Sequence, residues 1–293
     1  MMTSSATLKE KLHQKEIVVA PGVYDALGAS LAQNAGFDTV YLSGASLAYT
    51  KLGQPDIGLL SFTEIADSLW RIRDRADVSI VADCDTGFGN ALNAMRAVKM
   101  LERAGANAIQ LEDQTYPKRC GHLAGKNLVT LSEMIGKVKA ALDARQSEET
   151  LIVARTDALG VVDTDEAINR ALAFKEVGAD MVFIEGIRTD ADIQKIMTSL
   201  NGEIPIMANM VEGGDTPLKN AKILQDLGFS LVIFPGALVR AFTAMASQFF
   251  ATLKEDGTTD NFRDRMLNFK ELNDYLGTAD MLALGQKYEG DKA

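Results

Sequence analysis

The chain has 293 residues, 47% of them hydrophobic, a mean hydropathy near zero and a formal net charge of −10. That suffices for one large core, and the acidic balance without a basic patch disfavours nucleic acid but not an anionic small-molecule substrate. No apolar run approaches the ~20 residues of a membrane span, Met1 to Val19 carries Glu and Lys where a signal peptide needs apolar residues, and two Cys make no disulfide framework; a soluble cytoplasmic protein is expected.

Short β-branched and apolar runs recur along the chain. The predicted strands are Ile17–Ala20, Thr39–Leu42, Ser79–Ala82, Ala108–Leu111, Leu151–Ala154, Met181–Ile184, Ile204–Ala208 and Leu231–Phe234. Segments with helical spacing lie between them, such as Ala91–Arg103, Asp165–Glu176 and Pro217–Leu227. Gly36, Gly105, Gly178 and Gly228 each stand between a helical segment and the next strand, where glycine closes a helix in the left-handed conformation. Such units wind one way and make parallel strands. Eight of them predict an α/β fold, a closed (β/α)8 TIM-type barrel. An open doubly wound sheet would show a glycine-rich loop after its first strand, and Pro21-Gly22-Val23-Tyr24-Asp25 is not one. Beyond the eighth strand, Ala237–Leu253, Phe262–Leu276 and Ala279–Tyr288 read as helices. We therefore expect one domain, 1–293, with 237–293 as a C-terminal helical extension suited to subunit contacts or to capping the barrel.

In such a barrel the chemistry sits at the carboxyl ends of the strands. Those ends carry Ser43 and Gly44, Asp83 and Asp85, Glu112 and Asp113, Arg155 and Asp157, Glu185, and Asn209. Plain strand termination would also place polar residues there, but charged groups are seldom buried without partners. Strand alternation puts Asp83 and Asp85 on one face and Cys84 on the other. With Glu112 one strand away, a hard divalent cation is the natural occupant, Mg²⁺ or Mn²⁺. No His joins them, which argues against zinc. His13, in a charged segment, reads as solvated. In Gly213-Gly214-Asp215-Thr216-Pro217 we expect a loop leading into a helix capped by Asp215 or Thr216, with Pro217 first.

After the fourth strand comes the loop Lys118-Arg119-Cys120-Gly121-His122. A thiol beside two cations and an imidazole suits proton chemistry, because positive neighbours stabilise the thiolate. A basic surface loop with a chance Cys is the plainer reading.

These segments together resemble the isocitrate lyase/phosphoenolpyruvate mutase superfamily along nearly the whole chain. The resemblance is carried by Pro21–Ala26, Tyr41–Gly44, Pro55–Gly58, Asp83–Gly89, Glu112–Gln114, Lys118–His122, Ala154–Ala158 and Ala208–Pro217. It implies a barrel whose last helix is exchanged between subunits, in a homotetramer built as a dimer of dimers. It implies Mg²⁺ held chiefly by Asp85, with Asp83 and Glu112 reaching it through water. The substrate's carboxylate would meet Ser43, Gly44 and Ala45, with Asp56, Arg119, Gly121, Glu185 and Asn209 also around it. Arg155 would bind a carboxylate, the loop would close, and Cys120 would act as general acid beside Lys118 and His122. Tyr41 is a candidate route for the hydroxyl proton. There is a tension, since cations that depress the Cys120 pKa oppose its role as an acid.

The implied activity is a Mg²⁺-dependent carbon–carbon lyase, which cuts a 2-hydroxy di- or tricarboxylate into an α-keto acid and a carboxylic acid. Methylisocitrate lyases usually continue the loop with Arg-Pro-Asn-Lys. Here Leu123-Ala124-Gly125-Lys126 follows, more like 2,3-dimethylmalate-type lyases and carboxyphosphonoenolpyruvate mutase, and Asn209-Met210-Val211-Glu212-Gly213-Gly214 points the same way. A substituted malate leads and methylisocitrate follows. A phosphonomutase, an oxaloacetate hydrolase or decarboxylase, and a barrel that only binds a metabolite are the alternatives.

Overall fold

The computed structural model describes residues 6–214 and 216–289. The chain divides into two compact units, 1–239 and 240–293. In the first, the strands are β1 (Val18–Val23), β2 (Thr39–Leu42), β3 (Ser79–Asp83), β4 (Ala108–Glu112), β5 (Leu151–Thr156), β6 (Met181–Ile184), β7 (Ile206–Asn209) and β8 (Leu231–Phe234). They pair in sequence order, all parallel, and β8 pairs back to β1 to close the barrel. The first strand outruns its prediction because Pro21 still pairs, opposite Phe234. A proline ends a strand only where its missing N–H is needed.

The helices are α1 (Leu8–Leu12), α2 (Ala26–Asn34), α3 (Gly44–Leu47), α4 (Phe62–Arg75), α5 (Ala91–Ala104), α6 (Leu131–Ala144), α7 (Ala158–Val161), α8 (Thr164–Glu176), α9 (Asp190–Leu200), α10 (Ala221–Leu227), α11 (Ala237–Asp256), α12 (Phe269–Leu276) and α13 (Thr278–Lys287). Asp25, Ser61, Asn90 and Thr130 cap α2, α4, α5 and α6 with side-chain oxygens on backbone N–H groups. Gly36, Gly105, Gly178 and Gly228 all have positive φ, between 94° and 106°, as helix-to-strand junctions require. Two predictions fail at helix starts. The tenth helix begins at Ala221 under an Asn220 cap, so Pro217 lies ahead of it, outside any helix; Asp215 lies outside the described residues. The segment Phe262–Leu276 breaks in two, because Asn268 and Glu271 form a capping box that starts α12 afresh.

Strand alternation creates two apolar layers. Inward side chains such as Val81, Val153, Phe183 and Met207 fill the barrel, and Leu8 and Leu12 of α1 join that cluster. This short helix was not read from the sequence; its two leucines, buried at ~1.5–3 kcal/mol each, hold it there. Outward side chains pack under the helices, and Cys84 belongs to that layer, fully buried, as the alternation of β3 predicted.

In the second unit, Phe249 stacks edge-on against Phe250 and Phe262, with ring centroids 5.5 and 5.4 Å apart. The helices α12 and α13 bury no residue.

Candidate active site

The polar ends of β2 to β7 converge at one mouth of the barrel. At the end of β3, Asp83 is anchored three ways. Its Oδ2 accepts the Gly44 N–H at 3.3 Å, and its Oδ1 accepts the Asp85 N–H at 3.1 Å and the Gln110 amide at 3.3 Å. Gln110 in turn accepts the Tyr41 hydroxyl at 3.0 Å. Tyr41 is thus linked to Asp83 through Gln110. Gln110 was missed by the sequence reading; its inward place on β4, two residues before Glu112, was the available signal.

Asp85 has φ of +45°, a conformation that side-chain-bearing residues seldom adopt. Its Oδ1 lies 2.9 Å from the Lys118 ammonium, which also meets Asp56 at 2.5 Å. Burial pushes the Asp85 carboxyl up to about 6, against the pull of Lys118 and with the push of Asp83 and Asp56. Burial likewise drives Glu112 well above the carboxylate range, despite Arg155 and Lys118. Glu112 Oε1 is buried without a hydrogen-bond partner. Lys118 stays charged, because the four surrounding carboxylates outweigh its own desolvation.

Around Arg155 the balance differs. Its guanidinium reaches Asp157 at 2.9 Å, Glu112 at 3.2 Å and Glu185 at 3.4 Å, and lies over the Phe183 ring. Asp157 also meets Lys126 at 2.7 Å. Burial alone would raise Asp157, but Arg155 and Lys126 hold it below the usual carboxylate range. Asn209 donates to Glu185 at 2.9 Å, and the His122 ring lies 3.9 Å from the same carboxylate. Asp113 faces outward. It accepts from Thr156 at 2.6 Å, from the Asp157 N–H at 2.9 Å and from Arg170 at 3.0 Å, so it supports the end of β5 from behind.

The loop after β4 lies over these groups. The Cys120 N–H donates to the Asp56 carbonyl, and a Cβ placed on Gly121 would stand 2.6 Å from both Arg155 Nη2 and Glu185 Cγ. A Cβ on Gly214 would stand 2.9 Å from the His122 ring, so the loop after β7 is shaped to that imidazole. The thiolate expectation is overturned. Burial raises the Cys120 thiol; the His122 backbone N–H and Lys118 oppose this, while Asp56 and Glu185 add to it. The Lys118 charge is spent on Asp56 and Asp85. Arg119 is exposed, turned along the loop to the Ala124 carbonyl at 2.8 Å, and is not brought to the cluster. The net direction is upward, which favours the protonated form that a general acid needs.

Of the other expected substrate-binding residues, Ser43 caps α3 by accepting the Ser46 N–H, the Gly44 N–H is engaged by Asp83, and Ala45 is partly buried in the first turn of α3. Among the described residues no three acidic, His or Cys side chains already converge as a ligand set. The donors nevertheless suit a hard cation: oxygen-only, carboxylate-rich, with Glu112 Oε1 unpartnered and Asp85 Oδ1 offset only by Lys118.

A closed parallel barrel with carboxylates, an arginine and a cysteine-bearing loop at one mouth defines the class. The family model for phosphoenolpyruvate phosphomutase matches residues 8–254. A 2,3-dimethylmalate lyase from Eubacterium barkeri is 45% identical over 94% of this chain and 95% of its own. A 2-methylisocitrate lyase from Aeropyrum pernix is 40% identical over 93% and 87%. Among solved structures, an oxaloacetate acetylhydrolase bound to 3,3-difluorooxalacetate superposes with a TM-score of 0.91 at 30% identity, covering 98% of this chain and 97% of the other. A 2,3-dimethylmalate lyase of the PEP mutase/isocitrate lyase superfamily gives 0.90 at 34%, covering 97% and 94%. A phosphonopyruvate hydrolase solved with oxalate and Mg²⁺ gives 0.86 at 30%, covering 96% and 97%. The chain belongs to the phosphoenolpyruvate phosphomutase family, within the PEP mutase/isocitrate lyase superfamily.

Proposed function

We propose that this protein is a Mg²⁺-dependent carbon–carbon lyase that cleaves the C2–C3 bond of a substituted malate to an α-keto acid and a carboxylic acid. The observation that carries this reading is the place of the loop: the Cys120 N–H donates to the Asp56 carbonyl, and a Cβ on the next residue, Gly121, would stand 2.6 Å from Arg155 and from Glu185. Asp85 would hold the cation, with Asp83 and Glu112 behind it. Bound there, Mg²⁺ supplies a Lewis acid for the substrate's 2-oxygen. As the 2-hydroxyl gives its proton to Glu112 Oε1, which has no hydrogen-bond partner, the C2–C3 bond breaks, C2 becomes a carbonyl carbon and C3 keeps the electron pair. Arg155, aimed by Asp157, neutralises the charge spreading onto the neighbouring carboxylate. Cys120 gives its proton to C3. The loop excludes water while that carbanion exists.

The 45% identity to a 2,3-dimethylmalate lyase supports the substituted malate over a tricarboxylate, and a cavity of about 370 Å³ lies beside the loop, with His122, Lys126 and Arg188 in its lining. Its lining includes Leu123, Ala124 and Val161, which suit an alkyl substituent. The exposed apolar side chains of α12 and α13, among them Phe269, Leu272 and Leu282, support subunit contacts through these helices in a homotetramer. Light scattering on an eluting peak tests that: a monomer would refute it. The same reading places the enzyme in the cytoplasm, and no helix of the described residues is long and apolar enough to cross a membrane.

The activity is tested with purified protein, Mg²⁺, lactate dehydrogenase and NADH. The panel holds 2,3-dimethylmalate, 2-methylmalate, 2-methylisocitrate, oxaloacetate with acetate release also followed by proton NMR, and a phosphonate followed by phosphorus NMR. Keto acid release from a malate, lost with EDTA, is expected. Turnover of the phosphonate or of oxaloacetate alone would replace the lyase by that activity, and silence with retained Mg²⁺ binding would leave a metabolite-binding barrel.

A further inference from the structure

We infer that Lys126 is a positioning residue that ties the Cys120 loop and the Arg155 guanidinium to one carboxylate, Asp157. The inference rests on the lyase reading for its kinetic consequence but on geometry alone for the latch. Lys126 ends the loop, and its side chain is only 6% exposed, against 0% for Asp157. The ammonium lies 2.7 Å from Asp157 Oδ1 and 2.5 Å from the Gly121 carbonyl. Asp157 Oδ1 also accepts from Arg155 Nη2 at 3.2 Å, and its Oδ2 accepts from Arg155 Nε at 2.9 Å. One carboxylate therefore grips the loop through one cation and orients the guanidinium through another. It is itself rooted in the barrel, because its backbone N–H donates to Asp113, which Arg170 pins from α8.

The rest of the loop explains why this clasp matters. Its first charged residue, Lys118, is fastened to Asp56 and Asp85. Arg119 is turned to Ala124, within the loop. Lys126 thus closes the far end, and the Gly121 carbonyl it holds belongs to the residue packed against Arg155 and Glu185. Arg155 and the thiol of Cys120 must meet the substrate together, and placing reacting groups about 1 Å wrong costs on the order of 10²-fold in rate.

The test uses the full-length enzyme and the variants Lys126→Met, Lys126→Arg, Asp157→Asn and Lys126→Met/Asp157→Asn. Amide hydrogen exchange of residues 119–125 is followed beside thermal melting and steady-state kinetics. Lys126→Met should raise loop exchange by about tenfold or more, leave exchange in the strands unchanged, and lower kcat by about 10²-fold with little change in KM. Lys126→Arg should restore loop protection and most of kcat, because a cation at that place can still bridge. The double variant should lose little beyond the worse single one, as residues in one network do. Wild-type loop exchange in Lys126→Met would overturn the latch, as would a folded Lys126→Arg as impaired as Lys126→Met. If the wild-type enzyme turned over no malate, the lyase reading would fail while loop exchange still decided the latch.

Discussion

Two buried charge clusters share the mouth of this barrel, and they are built on opposite principles. Around the end of β3, four carboxylates, Asp56, Asp83, Asp85 and Glu112, surround one ammonium, Lys118. Around the end of β5, Asp157 and Glu185 stand among two cations, Arg155 and Lys126, with Glu112 bridging the two sides. The difference shows in proton affinity. Asp157 is held below the carboxylate range, whereas Asp85 is pushed up to about 6 and Glu112 is driven well above the usual carboxylate range. The balanced cluster fixes geometry. The other is short of positive charge and fits the arrival of a cation with its substrate.

The largest effect should come from unbalancing the balanced side. Arg155→Met removes the guanidinium that three carboxylates surround. We expect kcat/KM to fall by at least about 10³-fold, and urea unfolding to register a loss of ~3–5 kcal/mol from the stranded buried charges. Cys120→Ser comes next, since its hydroxyl is a far weaker acid. Steady-state kinetics should give a kcat reduced by about 10²–10³-fold with KM nearly unchanged. In the wild type, kcat should decline on the alkaline side only above the ordinary thiol value of 9.0, because burial holds the proton on.

The unbalanced side is probed by the cation itself. Saturating Mg²⁺ at a hundred times its Kd should stabilise the wild type by ~2.7 kcal/mol, and Asp85→Asn should remove most of that thermal shift. The sign with pH follows from the raised carboxyl. Without cation, Asp85 favours folding while protonated, below 3.8, and that contribution is lost as pH rises through about 6. With cation the demand reverses, because the ligand must be ionised. Calorimetry should find Mg²⁺ affinity weakening as pH falls below about 6; affinity independent of pH there would sink the assignment of Asp85. The smallest effect is Gly121→Ala. Its methyl would press on Arg155 and Glu185, and we expect about a tenfold loss in kcat/KM with an unchanged melting temperature.

How much of this was legible without coordinates follows the range of the interactions. Period-two and glycine signals are local, so all eight strands and the four left-handed junctions could be read. Cys84 facing the helices and Asp83 facing the barrel followed from alternation alone. Helix starts were less legible where several caps compete, as Asn220 against Asp215 or Thr216. Partner choice was least legible, because it is set across strands distant in sequence. A cation-rich loop was expected to lower the Cys120 pKa. Nothing in the sequence told that Lys118 is spent on Asp56 and Asp85, Arg119 on Ala124 and Lys126 on Asp157. Gln110 was missed for the same reason, since its meaning lies in Tyr41 on one neighbouring strand and Asp83 on the other.

The most direct test of the account is the fate of the new C–H bond. Cleaving 2,3-dimethylmalate in D₂O with Mg²⁺ should give pyruvate and propionate bearing one deuterium at C2, in a single configuration by NMR with a chiral reagent. That outcome means the proton came from one fixed donor under a closed loop, and Cys120→Ser should slow the uptake of label by the same factor of about 10²–10³. Racemic label would mean the carbanion meets bulk solvent, and would contradict the role given to Cys120 and its loop.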